Sequence, residues 1–450
     1  MRSHPDSGHI PLAAGSRTTD IAQRMDRLPV TRLHIGVTLL CALGFSFDLM
    51  EMALGNVLSA VFSMPPHGAQ RHELALLLSS VYVGAIFGAP LLGHWADRHG
   101  RRLLLIGALA WLSMTSLLAA ASPDATTLSV ARALSGLALG AYPPLMFAYL
   151  TDLLPPGRRG LLIFLTVAAG ALGPPVGVFM VRALTPVAPL GVEAWRWAFI
   201  GGAAGAALVA LLFRLLPESP RWLQVRGRSE QAEHTCTRFE RSQPVLPAPP
   251  VVPAAAEAGA DGARRAALPI VSLFYFLSPW STVAFPLMIG AALASKGFRL
   301  QDTLLFVGVS TFGLMIGSAL SAAFVDRMPR RAALATCAVL MAASGLGFAL
   351  ATSPAWLMAT SAFFTLSAAL YVPTMTMYGS EVFPTAQRAR YSSTAWAFNR
   401  IGAAAAPFVL LPLLHGAGVV AMVSVIIGTL ALSLLVLRFC PQGYAGRAVS

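Results

Sequence analysis

Ionisable side chains inside long apolar runs are the residues of this chain that could do chemistry. A charge at the centre of a bilayer costs on the order of 2.5 to 3.5 kcal/mol on the insertion scale and marks a functional position by default. Few occur. Asp48 and Glu51 stand three residues apart in the first run, hence on one face of a helix. Asp48 sits ~22 Å along an ideal helix from the start of its run, at or beyond a bilayer's midplane. Arg132 enters the fourth run from the opposite side, so the depths of Asp48 and Arg132 are compatible with a pair. Such a pair could handle a proton: a carboxylate beside a guanidinium stays ionised, and withdrawing the guanidinium in a dry cavity lets the carboxylate take a proton. A static buried pair, or an Arg132 that snorkels outward, would use the same residues without chemistry. Three roles stay open for Glu51: a second proton site, a substrate contact, or a group wetted from the outer face.

Arg400 points to a substrate. It lies ~15 Å into its run, near the midplane, with no acidic residue in its own run to neutralise it. A lone central guanidinium facing a cavity can bind a carboxylate through two parallel hydrogen bonds, and Asn399 adds an amide next door. The alternatives for Arg400 are a pair with Glu381 or contact with water along its own helix. Tyr82, Tyr142, Tyr275, Trp280, Tyr371 and Trp396 stand at depths where they could line a cavity. Singly, each is accounted for by packing or interfacial anchoring; as a group they suit a flat, partly apolar substrate.

The elements that must position these residues follow from composition. With 56% hydrophobic and 11% charged residues and a mean hydropathy of +0.68, the chain is not an ordinary soluble domain, whose charged fraction is about 25%. Apolar runs cover Leu33 to Phe62, Glu73 to Leu92, Leu103 to Ala121, Leu128 to Leu150, Leu161 to Leu184 and Trp195 to Leu216. Six more cover Leu268 to Ala294, Thr303 to Val325, Ala332 to Ala351, Ala355 to Val382, Ser392 to Leu414 and Ala417 to Phe439. Each is long enough to cross a ~30 Å hydrocarbon core as a helix.

The net charge of +13 is carried almost wholly by arginines in short loops rather than in one patch, which argues for membrane orientation and against nucleic acid. Every even-numbered connection is basic. Outside remain only Arg71, Arg182, Arg196, Lys296 and Arg299, so twelve spans with both termini cytoplasmic are expected. Cys41, Cys236, Cys337 and Cys440 show no metal-ligand spacing. Neither metal nor cofactor is expected, and no P-loop suggests ATP.

Between the second and third runs stands Gly93-His94-Trp95-Ala96-Asp97-Arg98-His99-Gly100-Arg101-Arg102. This G-x-x-x-D-R-x-G-R-R pattern resembles the signature loop of the major facilitator superfamily, in spacing and in topological position. Asp326-Arg327-Met328-Pro329-Arg330-Arg331 repeats D-R-x-x-R-R between the eighth and ninth runs, with Pro329 replacing the second glycine. Positive-inside anchoring alone would not require the embedded Asp. Pro217-Glu218-Ser219-Pro220-Arg221-Trp222-Leu223 resembles the motif that ends the sixth span in sugar porters and in niacin-type and aromatic-acid relatives.

The resemblance implies an all-α membrane protein of twelve transmembrane helices in two six-helix bundles. Residues 33–216 and 268–439 would form the bundles, 217–267 a cytoplasmic linker, and 1–32 and 440–450 cytoplasmic tails. It implies that Asp48, with Arg132, couples protons. It also implies a cytoplasmic ion-pair gate built from Gly93, Asp97, Arg98, Arg101, Arg102, Asp152, Arg159, Glu218, Arg221, Asp326, Arg327, Glu381 and Arg388. The seventh run, Phe274-Tyr275-Phe276-Leu277-Ser278-Pro279-Trp280, lacks the Gln-rich pattern of sugar porters.

The expected function is therefore not enzymatic. It is secondary active uptake of a small organic anion, an aromatic or heterocyclic carboxylate, with protons, by a monomer in a bacterial inner membrane. A sugar or polyol symporter is the alternative, and a drug exporter ranks behind it. A receptor would carry a sizeable soluble extension, for which the tails and centre are too short and too rich in Pro and Ala.

Overall fold

The computed structural model describes residues 21–247, 268–324, 328–382 and 388–440. The first half comprises α2 (Arg32–Phe62), α3 (Arg71–His99), α4 (Arg101–Ala121), α5 (Ala125–Leu153), α6 (Pro156–Gly170), α7 (Gly173–Leu184) and α8 (Ala194–Leu212). The second comprises α11 (Leu268–Leu277), α12 (Pro279–Thr282), α13 (Ala284–Ser295), α14 (Leu300–Phe324), α15 (Arg330–Leu350), α16 (Pro354–Val382) and α17 (Arg388–Phe439). α6 and α7 form one interrupted span, as do α11, α12 and α13.

Eleven segments among the described residues are long and apolar enough to cross a membrane. The last, Thr394–Phe439, has 46 residues, and as one rod would reach roughly 69 Å, over twice a hydrocarbon core. It does not run as one rod: Gly418, at φ +82°, breaks α17 into two arms. Two arms make the twelfth crossing. Large apolar side chains such as Leu39, Phe87, Leu117, Val176, Leu208 and Leu435 lie uncovered along these helices, as a lipid-facing surface requires.

Small residues set the closest helix contact. A Cβ on Gly84 would stand 1.9 Å from the Ala133 carbonyl oxygen, and one on Gly88 would stand 2.1 Å from that of Leu137. Reciprocally, Gly136 and Gly140 of α5 meet the backbone of Val81 and Ala85. The backbones of α3 and α5 thus touch, the usual result of small-xxx-small spacing in lipid.

At one end the two halves close on each other. Gly290 of α13 abuts the Asn56 carbonyl and Ser59 of α2, Gly308 of α14 abuts Phe179 of α7, and Arg182 and Gln301 exchange side-chain-to-backbone hydrogen bonds of 3.3 and 3.4 Å.

The opposite, arginine-rich end carries a folded layer where the sequence suggests a tail and a linker. Ile21–Arg27 forms α1, Pro220–Val225 forms α9, Ser229–Glu240 forms α10, and strands β1 (Val30–Thr31) and β2 (Pro244–Leu246) pair antiparallel. Met25 and Phe239 are fully buried there. Arg24 forks onto Glu240 at 2.9 Å and Glu233 at 2.6 Å. Apart from α10, whose buried Ala232, Thr235, Cys236 and Phe239 recur at helical spacing, these elements are too short to show periodicity in sequence, and all are stable only against each other and the bundle.

Candidate substrate and proton site

Two interrupted helices bring the central residues together. α6 ends at Gly170 and α7 restarts at Gly173, whose Cβ position would lie 1.9 Å from the Ser46 carbonyl oxygen of α2. The first half is thereby pressed onto α2 just before Asp48. In the second half the seventh span breaks at Ser278 and again at Val283, with Pro279 opening the middle segment. Asn399 of α17 repairs the first break: its Nδ2 donates to the Tyr275 carbonyl at 3.2 Å and to Ser278 Oγ at 2.9 Å. Both amide protons are spent there, so Asn399 positions its neighbour Arg400 instead of adding a second donor beside it.

Glu51 and Arg132 form a closed pair. Arg132 Nη1 donates to Glu51 Oε1 at 3.0 Å and to the Glu51 carbonyl at 2.8 Å, Ser116 Oγ donates to Glu51 Oε2 at 3.0 Å, and the guanidinium lies over the Phe199 ring. Both side chains are only 2% exposed. The sequence pairs Arg132 with Asp48; the structure gives it to Glu51 instead. Three residues amount to most of a helical turn, about 4.5 Å of rise, enough to decide which carboxylate the guanidinium reaches. Ser116 carries no signal of this role in the sequence.

Asp48 is placed differently. It is buried, and its Oδ1 has no hydrogen-bond partner. The charges close enough to act on it are Glu51, on its own helix, and Arg400, across the boundary between the halves. Arg400 in turn is within electrostatic range of Asp48 and Tyr82. No carboxylate among the described residues stands within the 4.0 Å of an ion pair with it. The guanidinium is enclosed by protein yet keeps part of its surface uncovered, and it stands 5.9 Å from the Trp396 ring. A half-buried cation deep in the bundle, with no carboxylate at ion-pair distance among the described residues, can take an anion.

The aromatic candidates separate into two groups. Tyr142 donates to the Cys41 carbonyl at 3.3 Å and Tyr275 to that of Met375 at 2.9 Å, so both phenols fasten helices. Trp396 packs edge-on against Tyr275. The Tyr371 hydroxyl and Trp280 Nε1 are buried and unpartnered, as groups awaiting a ligand or water would be. A cleft of about 180 Å³ lined by Phe62, His67 and Arg196 and one of about 470 Å³ lined by Lys296 and His415 include none of these residues.

At the arginine-rich end the expected network is present in part. Gly100 adopts φ +108°, and a Cβ there would stand 2.5 Å from Glu218 Oε2. The carboxylate fills that space and accepts the backbone N–H groups of Arg101 and Arg102, each at 3.1 Å, capping the N-terminus of α4. Burial pushes the Glu218 carboxyl above its ordinary value, while the N–H groups of Ser219 and Arg102 pull it back.

Arg101 pairs with Asp152, which accepts Ser219 Oγ at 2.6 Å, and Arg102 donates to the Leu216 carbonyl at 2.6 Å. Arg221 and Arg159 share Asp26, at 2.5 and 3.8 Å. Asp26 is absent from the sequence-based set because α1 reads as a tail. Asp97 joins through its carbonyl, which accepts Trp222 Nε1 at 2.9 Å; its carboxylate and the Arg98 guanidinium are exposed, with no polar partner among the described residues. Gly93 has open space around it and no close contact to permit. Asp326 and Arg327 lie outside the described residues, as do the side chains of Glu381 and Arg388.

Interrupted helices around buried charges at the junction of two helical halves define a multi-pass membrane transporter. Residues 21–407 match the family model of the Major Facilitator Superfamily, and the chain belongs to that family. It is 26% identical over 407 residues to the niacin transporter NiaP of Acinetobacter baylyi, covering 87% of this chain and 90% of that one. It is 31% identical over 215 residues to the 4-hydroxybenzoate transporter PcaK of Pseudomonas putida, about 47% of this chain and 46% of that one. Its fold is similar to the xylose transporter XylE from E. coli in a partially occluded inward-open conformation, with a TM-score of 0.74 and 19% identity over 91% of this chain and 98% of that one. The protein is a transporter, not an enzyme.

Proposed function

We propose that the protein imports a small organic monocarboxylate, aromatic or heterocyclic, together with protons across a bacterial inner membrane, with both termini in the cytoplasm. One observation carries this: Arg400 is a deep cation between the halves with no carboxylate at ion-pair distance among the described residues. A substrate carboxylate would bind it bidentately. Trp396, 5.9 Å from the guanidinium, supplies a flat apolar wall, and the unpartnered Trp280 N–H is a further donor of the second half.

The relatives named for niacin and 4-hydroxybenzoate support a ring bearing a carboxylate. Asp48 carries the proton, and the Glu51–Arg132 pair holds α2 to α5 while it does so. The Glu218, Arg101 and Asp152 network acts as the cytoplasmic gate, closing or releasing as the halves rock.

The test is uptake of labelled aromatic acids, other monocarboxylates and sugars into proteoliposomes, with an outside-acidic, an inside-acidic or no pH gradient, by the wild type and Arg400→Ala. An acid should accumulate only under the outside-acidic gradient, and the variant should lose at least a hundredfold in rate. Accumulation of sugars, with normal transport by Arg400→Ala, overturns the reading.

A further inference from the structure

The two buried carboxylates of α2 differ in what neutralises them. Glu51 has its own cation, Arg132, and that pair sums to zero. Among the described residues Asp48 has no cation of its own half at ion-pair distance, Arg132 being held by Glu51, and the positive charge that acts on it is Arg400, which belongs to the other half and is itself beyond ion-pair distance. Among the described residues the other titratable groups around this site are the phenols of Tyr82 on α3 and Tyr142 on α5 and the thiol of Cys41 on α2, all uncharged near neutral pH.

Resting on the anion reading above, we infer that Asp48 and the substrate's carboxylate are alternative counter-ions of Arg400, so that one monoanion crosses with one proton and no net charge.

The argument is a charge count in a low dielectric. Ionised Asp48 with Arg400 is neutral. Protonated Asp48, Arg400 and a bound carboxylate together are also neutral. The other two combinations, both anions present or neither, leave one uncompensated charge buried between the halves, which low-dielectric surroundings penalise heavily. Proton and anion therefore bind together or not at all. The unpartnered Oδ1 of Asp48 fits this role, since no protein hydrogen bond at that oxygen must break when the proton arrives.

The test has two arms on the full-length protein. First, benzoate and nicotinate binding is measured by titration from pH 5.5 to 8.5 for the wild type, Asp48→Asn, Asp48→Glu and Arg400→Ala. One linked proton requires the wild-type Kd to weaken tenfold per pH unit in the upper range. Asp48→Asn should be flat at the acid-pH affinity, and Asp48→Glu should keep the slope with a moved midpoint, which also serves if the Asn variant does not fold. Second, reconstituted protein is driven by a pH gradient or by an inside-negative potassium diffusion potential. The pH gradient alone should drive accumulation, and Asp48→Asn should exchange labelled for unlabelled acid without accumulating it.

Binding that needs Arg400 but keeps its full pH slope in Asp48→Asn overturns this inference and leaves the anion reading standing. So does accumulation driven by membrane potential alone. Absence of carboxylate binding to the wild type, or unchanged binding in Arg400→Ala, overturns the anion reading and this inference with it.

Discussion

Asp48 and Glu51 occupy one face of one helix, equally buried, and differ in their partners. Glu51 has every contact a buried carboxylate needs: a guanidinium, a hydroxyl and a fixed helix behind them. Asp48 has an oxygen with no partner and a cation that belongs to the other half of the molecule. A satisfied charge fixes one arrangement; an unsatisfied one leaves two close in energy. The same contrast separates the arginine-rich end, where Glu218, Asp152, Asp26 and Arg24 are each tied to several groups, from the centre, where Arg400 is not. At that end each of these charges has several partners, while at the centre Glu51 and Arg132 have each other and Asp48 and Arg400 have no ion-pair partner among the described residues.

The sharpest way to break this contrast is Arg132→Met. If the pair is structural, removing the cation strands Glu51 and costs about 3 to 5 kcal/mol, seen as lost yield and a lower Tm in detergent. Adding Glu51→Gln should recover part of it. A variant that folds normally and loses only proton coupling would place Glu51 and Arg132 in the same class as Asp48.

A smaller effect is expected at the arginine-rich end. Glu218→Ala removes charge-assisted bonds at the start of α4, worth about 1.5 to 3 kcal/mol. It should lower Tm and, if this end is the gate proposed above, raise transport leak, while leaving the pH dependence of binding unchanged. A changed pH slope would mean that this end and the centre titrate together.

The smallest effect concerns the outer layer. Arg24 holds Glu240 below its ordinary carboxylate range, so the contact stabilises the layer above the unfolded value of about 4.3 and is lost as pH falls through the lowered value. Arg24→Ala should expose residues near α1 to protease at neutral pH with a Tm change of under about 1 kcal/mol equivalent, and acid should do the same to the wild type but not further to the variant. Equal protection in both proteins would show that burial of Met25 and Phe239, not the ion pairs, holds the layer.

Much of the architecture is legible in the chain. Apolar runs of bilayer length, arginines on alternate connections and the loop around Asp97 each have a physical cause that acts locally, so residue order alone reports them. The glycines at 84 and 88 likewise announce a close helix contact. Other features were not legible. Ile21–Arg27 is too short to announce itself, and the helical spacing of Ala232, Thr235, Cys236 and Phe239 in Ser229–Glu240 does not say what that face packs against, because each draws its stability from a partner some two hundred residues away. The importance of Gly100 was visible as a motif position, but the reason, a carboxylate from Glu218 occupying the space beside it, was not.

Residue order alone reports that the chain crosses a membrane many times, that its arginines fall on alternate connections, and that Asp48, Glu51, Arg132 and Arg400 are its costly charges inside apolar runs. Hydropathy, loop charge and the price of a buried ion are properties of residues and spacing. The partnerships come from packing in three dimensions. Arg132 goes to Glu51, Asn399 caps a helix break, and Arg400 is left with no carboxylate at ion-pair distance among the described residues. Pairing depends on helix rotation and on breaks at Gly173 and Ser278, where a shift of one turn reassigns a guanidinium from one carboxylate to the next.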